Sequence, residues 1–257
     1  MDPLILKKAQ DWAVNPAFEV ADRTPIQKLI DELPHSATEL NDRFYRGLEF
    51  GTGGMRGILG PGENRINKYT VRRAAQGFAM SLMKYFPSGA KIVVAHDSRH
   101  FSREFAEETC CVMAAHGIHS LIFPALKPTP VLSFAIRHYG ARGGAMVTAS
   151  HNPPKYNGYK VFWADGAQVV APIDQEIVAN YEKLTSWGDL KSMPFSEARA
   201  KGLVKDTDEA VDEAFYQVVE KQVIMDLQLC RAQGSKLKVV YTPLHGTGLI
   251  PCEKLAR

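Results

Sequence analysis

The chain has 257 residues, of which 45% are hydrophobic and 23% charged, and its formal net charge is +3. That is an ordinary balance for a soluble globular protein, long enough for one large domain or for one domain and part of another. The excess of base is far from the polybasic signature of a nucleic-acid protein, no stretch reaches the roughly 18 apolar residues of a membrane span, and the N-terminus MDPLILKKAQDW does not read as a secretory signal. Neither nucleic acid nor membrane is therefore expected as a partner.

Residues 1 to 46 read as helical, cut into short pieces by Pro3, Pro16, Pro25 and Pro34. In LEFGTGGMRGILGPG (Leu48 to Gly62) the apolar flanks suggest strand, and Gly51, Gly53, Gly54 and Gly57 interrupt it as a loop or bend. Thr70 to Tyr85 has helical periodicity, and KIVVAH (Lys91 to His96) is short and apolar enough for a buried strand. Ser102 is the expected N-cap of a helix running to His116. Cys110 and Cys111 fall inside that helix and, with no C-x-x-C pair anywhere, read as buried thiols in a reducing, cytoplasmic setting.

Further on, Ser120 to Pro124 reads as strand. Thr129 to Tyr139 reads as a helix that Gly140 could cap, and Gly143 to Ser150 as a strand running into a loop. Gly158 to Trp163 is another strand. Ile173 to Lys205 has no clear pattern. Asp208 to Leu229 reads as one long helix, and KLKVVYTPLHGTG (Lys236 to Gly248) as a strand with a glycine loop. Strands alternating with helices predict an α/β fold, a layered mixed sheet flanked by helices. The first domain is expected over 1–207. Residues 208–257 read as the incomplete start of a second, similar domain, because one helix and one strand cannot close a sheet.

Three strings carry chemistry. The first is TASHNPPKYNGYKVF, Thr148 to Phe162. Ser150 follows a strand, where ligands collect in such sheets, in a loop stiffened by Pro153 and Pro154. A free serine needs a base or a metal to act as nucleophile. His151 is adjacent, and a tight turn at Asn157-Gly158 would fold Lys160 back beside Ser150, where a cation would stabilise a phosphorylated serine. The second string is FGTGGMRG, whose glycines allow backbone N–H groups to approach a phosphate and whose Arg56 offers a fork of donors. It lacks the G-K-[ST] ending of a Walker loop. The third is HDSRHFS, in which Asp97 and Arg99 read as a pair tying down a loop. Two loop histidines, His96 and His100, make no metal site alone.

Together these strings resemble the α-D-phosphohexomutases, the phosphoglucomutase/phosphomannomutase family. The family's serine loop is T-x-S-H-N-P-x-x-x-N-G-x-K, matched by Thr148, Ser150, His151, Asn152, Pro153, Asn157, Gly158 and Lys160. Its G-T-x-G-x-R-G loop is matched by Gly51, Thr52, Gly54, Arg56 and Gly57, and its D-x-R by Asp97 and Arg99. KPTP before Val131 resembles the family's helix entry, and YTPLHGTG its H-G-x-G loop with His245.

The resemblance implies interconversion of hexose 1- and 6-phosphates through a phosphoserine at Ser150 and a bisphosphorylated sugar, with glucose 1,6-bisphosphate as activator and intermediate. It implies Ser150, His151, Lys160 and Arg56 as catalytic residues, and Arg56, Gly54, Thr52 and Asn152 as phosphate-binding ones. It also implies a Mg2+ ion held in part by Ser150 through its phosphate. Either Lys160 or His151 would transfer the proton. The spelling is closest to the longer bacterial enzymes, and also resembles relatives that act on pentose phosphates or make glucose 1,6-bisphosphate. The family's D-x-D-x-D-R magnesium loop occurs nowhere in the sequence. The chain is therefore expected to be the N-terminal part of a longer mutase, inactive alone, with hexose phosphates and the enzyme's own C-terminal domains as partners. The alternative is a short sugar-phosphate-binding or regulatory protein. A serine hydrolase is disfavoured, since no G-x-S-x-G surrounds Ser150.

Overall fold

The computed structural model describes residues 1–51, 54–224 and 226–256. Three short helices open the chain: α1 (Pro3–Val14), α2 (Val20–Asp31) and α3 (Ala37–Phe44). Pro16 and Pro34 lie between them, and Pro3 begins α1, where a missing N–H costs nothing. Pro25 was expected to cut the chain but sits inside α2. The next residue, Ile26, is fully buried with Leu40, Phe44 and Trp12, and this packing offsets the lost hydrogen bond. Trp12 stacks on Phe18 at 3.8 Å between ring centres.

The rest is a six-stranded sheet covered on both faces. Its strands are β1 (Gly54–Ile58), β2 (Lys91–His96), β3 (His119–Ile122), β4 (Gly143–Val147), β5 (Tyr156–Trp163) and β6 (Val204–Asp206), in the order β1-β5-β4-β2-β3-β6. β4, β2, β3 and β6 run parallel, and β5 is antiparallel to both of its neighbours. On one face lie α4 (Lys68–Tyr85), α5 (Ser102–Ala115), α7 (Ile173–Lys183) and α8 (Phe195–Ala200). On the other lie α6 (Thr129–His138) and α9 (Ala210–Lys221). Alternation along β2 serves both layers: Ile92 and Val94 face the first, Val93 and Ala95 the second.

Local signals explain most boundaries. Asn67 caps α4, its side chain accepting from the N–H groups of Tyr69 and Thr70 while Thr70 Oγ1 accepts from Asn67 N–H. Gly140 follows α6 at φ +58°. Ser102, expected as an N-cap, is instead the first helical residue of α5. Phe101 takes the cap position at φ +62°, because Ser102 Oγ donates to Asp97 Oδ1 rather than accepting from its own helix.

Two expectations fail near the end of the chain. The long helix over Asp208 to Leu229 is two, α9 and α10 (Leu227–Gln233). The expected strand after Lys236 is irregular chain with no strand partner among the described residues, followed by α11 (Leu249–Ala256). A strand exists only through hydrogen bonds to a neighbour. The sequence reading also missed β6, whose three residues are too few for a period. Among the described residues no helix is long and apolar enough to cross a membrane.

Candidate active site

Because β2 and β4 pair in parallel, their carboxyl ends release two loops side by side: 97–101 after β2, and 148–155 after β4. Ser150 is exposed in the second loop, at φ +57°. That left-handed geometry costs a serine on the order of 1–3 kcal/mol, so its surroundings must impose it. Thr148 Oγ1 accepts from Ser150 N–H at 3.0 Å, and Ala149 O accepts from Asn152 N–H at 3.1 Å. Ser150 Oγ lies 3.2 Å from His151 Nδ1. One of the two donates, according to the imidazole tautomer.

The first loop braces the second. Asp97 Oδ1 accepts from Arg99 N–H and from Ser102 Oγ, and Arg99 reaches across to the carbonyl groups of the serine loop. The expectation of an Asp–Arg pair was right in kind, with Arg99 Nε 3.5 Å from Asp97 Oδ2; the sequence did not indicate that the loop being tied is the serine's own. Ser98, Arg99 and His100, the serine loop and Leu244 to Gly246 line a cleft of about 620 Å³. Ser98 Oγ donates to His245 O at 2.8 Å, so the H-G-x-G loop forms one wall of this cleft.

The turn expected at Asn157-Gly158 is not there. The chain reverses at 150–155, where Tyr156 N–H donates to Pro153 O, and Asn157 and Gly158 lie inside β5. Asn157 is buried instead, donating through Nδ2 to His100 O and Ser102 Oγ, both at 2.9 Å, and so joining β5 to the first loop. Gly158 is needed because a Cβ there would strike Thr148 O on one side and come within 2.9 Å of Met55 O on the other.

Lys160 consequently does not fold back onto Ser150. It pairs with Met146 in mid-sheet and shares a second cleft, of about 500 Å³, with Arg56. Arg56 pairs with Gly158, so the antiparallel register sets Arg56 and Lys160 diagonally on one face. Burial, and then the nearby Arg56 guanidinium, holds the Lys160 ammonium below the usual lysine range. Arg56 is also the link between the clefts, its Nη1 donating to Asn152 Oδ1 at 3.5 Å. Gly54 was expected to offer an N–H to phosphate, but that N–H donates to Gly51 O at 3.0 Å as the chain enters β1. Thr52 lies outside the described residues. Among the described residues no group of three or more His, Cys, Asp or Glu side chains could hold a metal ion. Apart from the Ser150 oxygen, the described residues therefore do not fit magnesium by themselves.

The family model for phosphoglucomutase/phosphomannomutase, alpha/beta/alpha domain I, matches residues 47–187, more than half of the chain, including β1, the loop after β2 and the serine loop. The chain belongs to this family. Among curated members it is 34% identical to a probable phosphoribomutase of Schizosaccharomyces pombe over 97% of this chain and 42% of that protein. It is 37% identical to a phosphoglucomutase of Staphylococcus epidermidis over 79% of this chain and 36% of that protein. The chain thus spans about two fifths of the length of the curated relatives it matches. Among solved structures, a putative phosphomannomutase from Thermus thermophilus matches with a TM-score of 0.58 and 30% identity, over 71% of this chain and 37% of that one. The phosphoglucomutase parafusin from Paramecium, at 20% identity and a TM-score of 0.57, shares the fold.

Proposed function

We propose that this chain supplies the phosphoryl-carrying serine of a mutase that interconverts hexose 1-phosphate and hexose 6-phosphate, with Ser150 as the carrier. The observation that carries this reading is the exposed Ser150 Oγ, braced in a left-handed loop at the carboxyl end of β4, 3.2 Å from a histidine nitrogen. In the half-reaction that loads the serine, Ser150 Oγ attacks a phosphorus of glucose 1,6-bisphosphate. The Oγ–P bond forms as the bond from phosphorus to the sugar oxygen breaks. The serine proton passes to His151 Nδ1, and the departing sugar oxygen takes up a proton to leave a hexose monophosphate. Arg56 and Lys160, on the flank of the serine loop, hold the anionic substrate. Asn152 orients Arg56. His151 is favoured over Lys160 for proton transfer because only His151 lies within hydrogen-bond reach of Oγ. Magnesium, in this reading, is completed by ligands beyond the described residues, and no step above passes through it.

A second reading, a pentose phosphate substrate, is favoured by the probable phosphoribomutase, which matches over 97% of this chain. Peptide mapping of the native protein tests the common part of both readings. Phosphate is expected on Ser150, and glucose 1,6-bisphosphate is expected to restore it after dephosphorylation. A Ser150 that stays free of phosphate under both conditions overturns the proposal. Turnover of glucose 1-phosphate against ribose 1-phosphate then separates the two sugars.

A further inference from the structure

We propose that Arg99 is a positioning residue that holds the serine loop with Ser150 in its left-handed conformation, and that it does so without touching substrate. This rests on the reading of Ser150 as phosphoryl carrier. Nη2 donates to Ser150 O at 2.8 Å and to Asn152 O at 2.6 Å, and Nη1 donates to Pro153 O at 3.1 Å and to Tyr156 O at 3.0 Å. Nε faces Asp97 Oδ2 at 3.5 Å. A guanidinium has five N–H groups; the four on the two terminal nitrogens all donate to carbonyl groups of the serine loop and the start of β5, and the Nε edge is taken by the Asp97 carboxylate as an ion pair, so no fork of donors remains for a phosphate. Arg56 differs: among the described residues its guanidinium makes a single hydrogen bond, at 3.5 Å, and keeps donors for an anion.

Three of the carbonyl acceptors, at Ser150, Asn152 and Pro153, belong to the span that reverses the chain between β4 and β5, and the fourth, Tyr156 O, is on the first residue of β5. Their partner is itself fixed, because Asp97 Oδ1 accepts from Arg99 N–H at 2.9 Å and Asn157 secures the neighbouring turn at His100 O. Carbonyl groups that converge on one planar cation can do so only if the loop curls around it, and the left-handed turn at Ser150 belongs to that curl. A lysine, with three donors on a single atom, cannot reproduce the fork.

The experiment compares Arg99→Lys with the unchanged protein, using two readouts on the native full-length chain. Amide hydrogen exchange over residues 150–156 reports the loop. Phosphoryl uptake by Ser150 from glucose 1,6-bisphosphate reports the chemistry. Loss of one charge-assisted bond corresponds to about ten-fold, so R99K is expected to speed exchange and slow uptake by about ten-fold or more. In a Ser150→Gly background the exchange effect of R99K should shrink to a few-fold, because glycine enters the left-handed region without strain. Asp97→Asn, which weakens the brace on Arg99, should act in the same direction but less, and it serves if R99K does not fold. Unchanged loop exchange in R99K, an equal effect in the Ser150→Gly background, or normal uptake despite a loosened loop each overturn the proposal. If the unchanged protein takes up no phosphate, the carrier reading fails, while the exchange results still decide whether Arg99 holds the loop.

Discussion

KIVVAH at Lys91 to His96 and KLKVVY at Lys236 to Tyr241 are much alike on paper, yet they end differently. The first is β2, with Ile92, Val93, Val94 and Ala95 fully buried between two helical layers and hydrogen-bonded to β3 and β4. In the second, Val240 is 99% exposed and no strand pairs with it among the described residues. Composition and period were the same kind of evidence in both places. What differed was the availability of a neighbour, since a strand's backbone groups and side chains are satisfied by other segments. The teaching is that a β-like string marks a capacity to pair rather than a strand.

The contrast can be broken by substitution. Ile92→Asp places a carboxylate in the centre of the sheet and should abolish folding, whereas Val240→Asp should leave the melting temperature of this chain unchanged; circular dichroism on heating decides. If V240D unfolds the chain, that segment is packed after all. Phe78→Ala, at a fully buried ring of α4, should cost about 3–5 kcal/mol in urea unfolding, against less than about 0.5 kcal/mol for Leu237→Ala.

Glycines sharpen the same point. Gly158→Ala should destabilise by about 1–3 kcal/mol, because two backbone oxygens occupy the place of the added methyl. Gly234 has nothing within contact of a Cβ and sits at φ −56°, so Gly234→Ala should be neutral or stabilise by up to about 1 kcal/mol. Stability curves that rank these two the other way would contradict the packing described for β5.

The smallest expected effect lies at the site. Removing the guanidinium in Arg56→Ala should move the Lys160 titration upward, and only partly back to the ordinary range, because burial is the larger cause of its depression. A lysine lowered in the folded state leaves the unfolded chain binding more protons over the interval below the ordinary lysine pKa. Lys160 therefore makes stability rise with pH across that interval, and R56A should flatten the rise. A side-chain NMR titration that finds Lys160 unmoved in R56A would separate the two residues electrostatically.

Much of the site was legible in the residues. The Asp97–Arg99 pair stood out by residue type and spacing, and the serine loop with its adjacent histidine and Arg56 stood out by their match to the family's loop patterns. Their grouping was less so. Asn157-Gly158 has the form of a hairpin turn, yet the prolines at 153 and 154 had already reversed the chain, which left Asn157 to be buried as a strap and Gly158 as a point of close approach. With the reversal at 150–155, Lys160 lines the neighbouring cleft rather than the serine's.

The sequence by itself determined the alternation of helices and strands through β5 and the doubly buried character of β2, because these depend on local period, and it pointed to Ser150 through the resemblance of the whole loop Thr148 to Phe162 to a family pattern. Tertiary structure alone decided which loops stand side by side, that Arg56 and Lys160 share the neighbouring cleft, that Ser150 adopts a left-handed turn and that both terminal nitrogens of Arg99 are committed to carbonyl groups. Those follow from strand order and register, which join residues as far apart in the chain as Arg56 and Asn152, and no local pattern encodes which distant segments will pair.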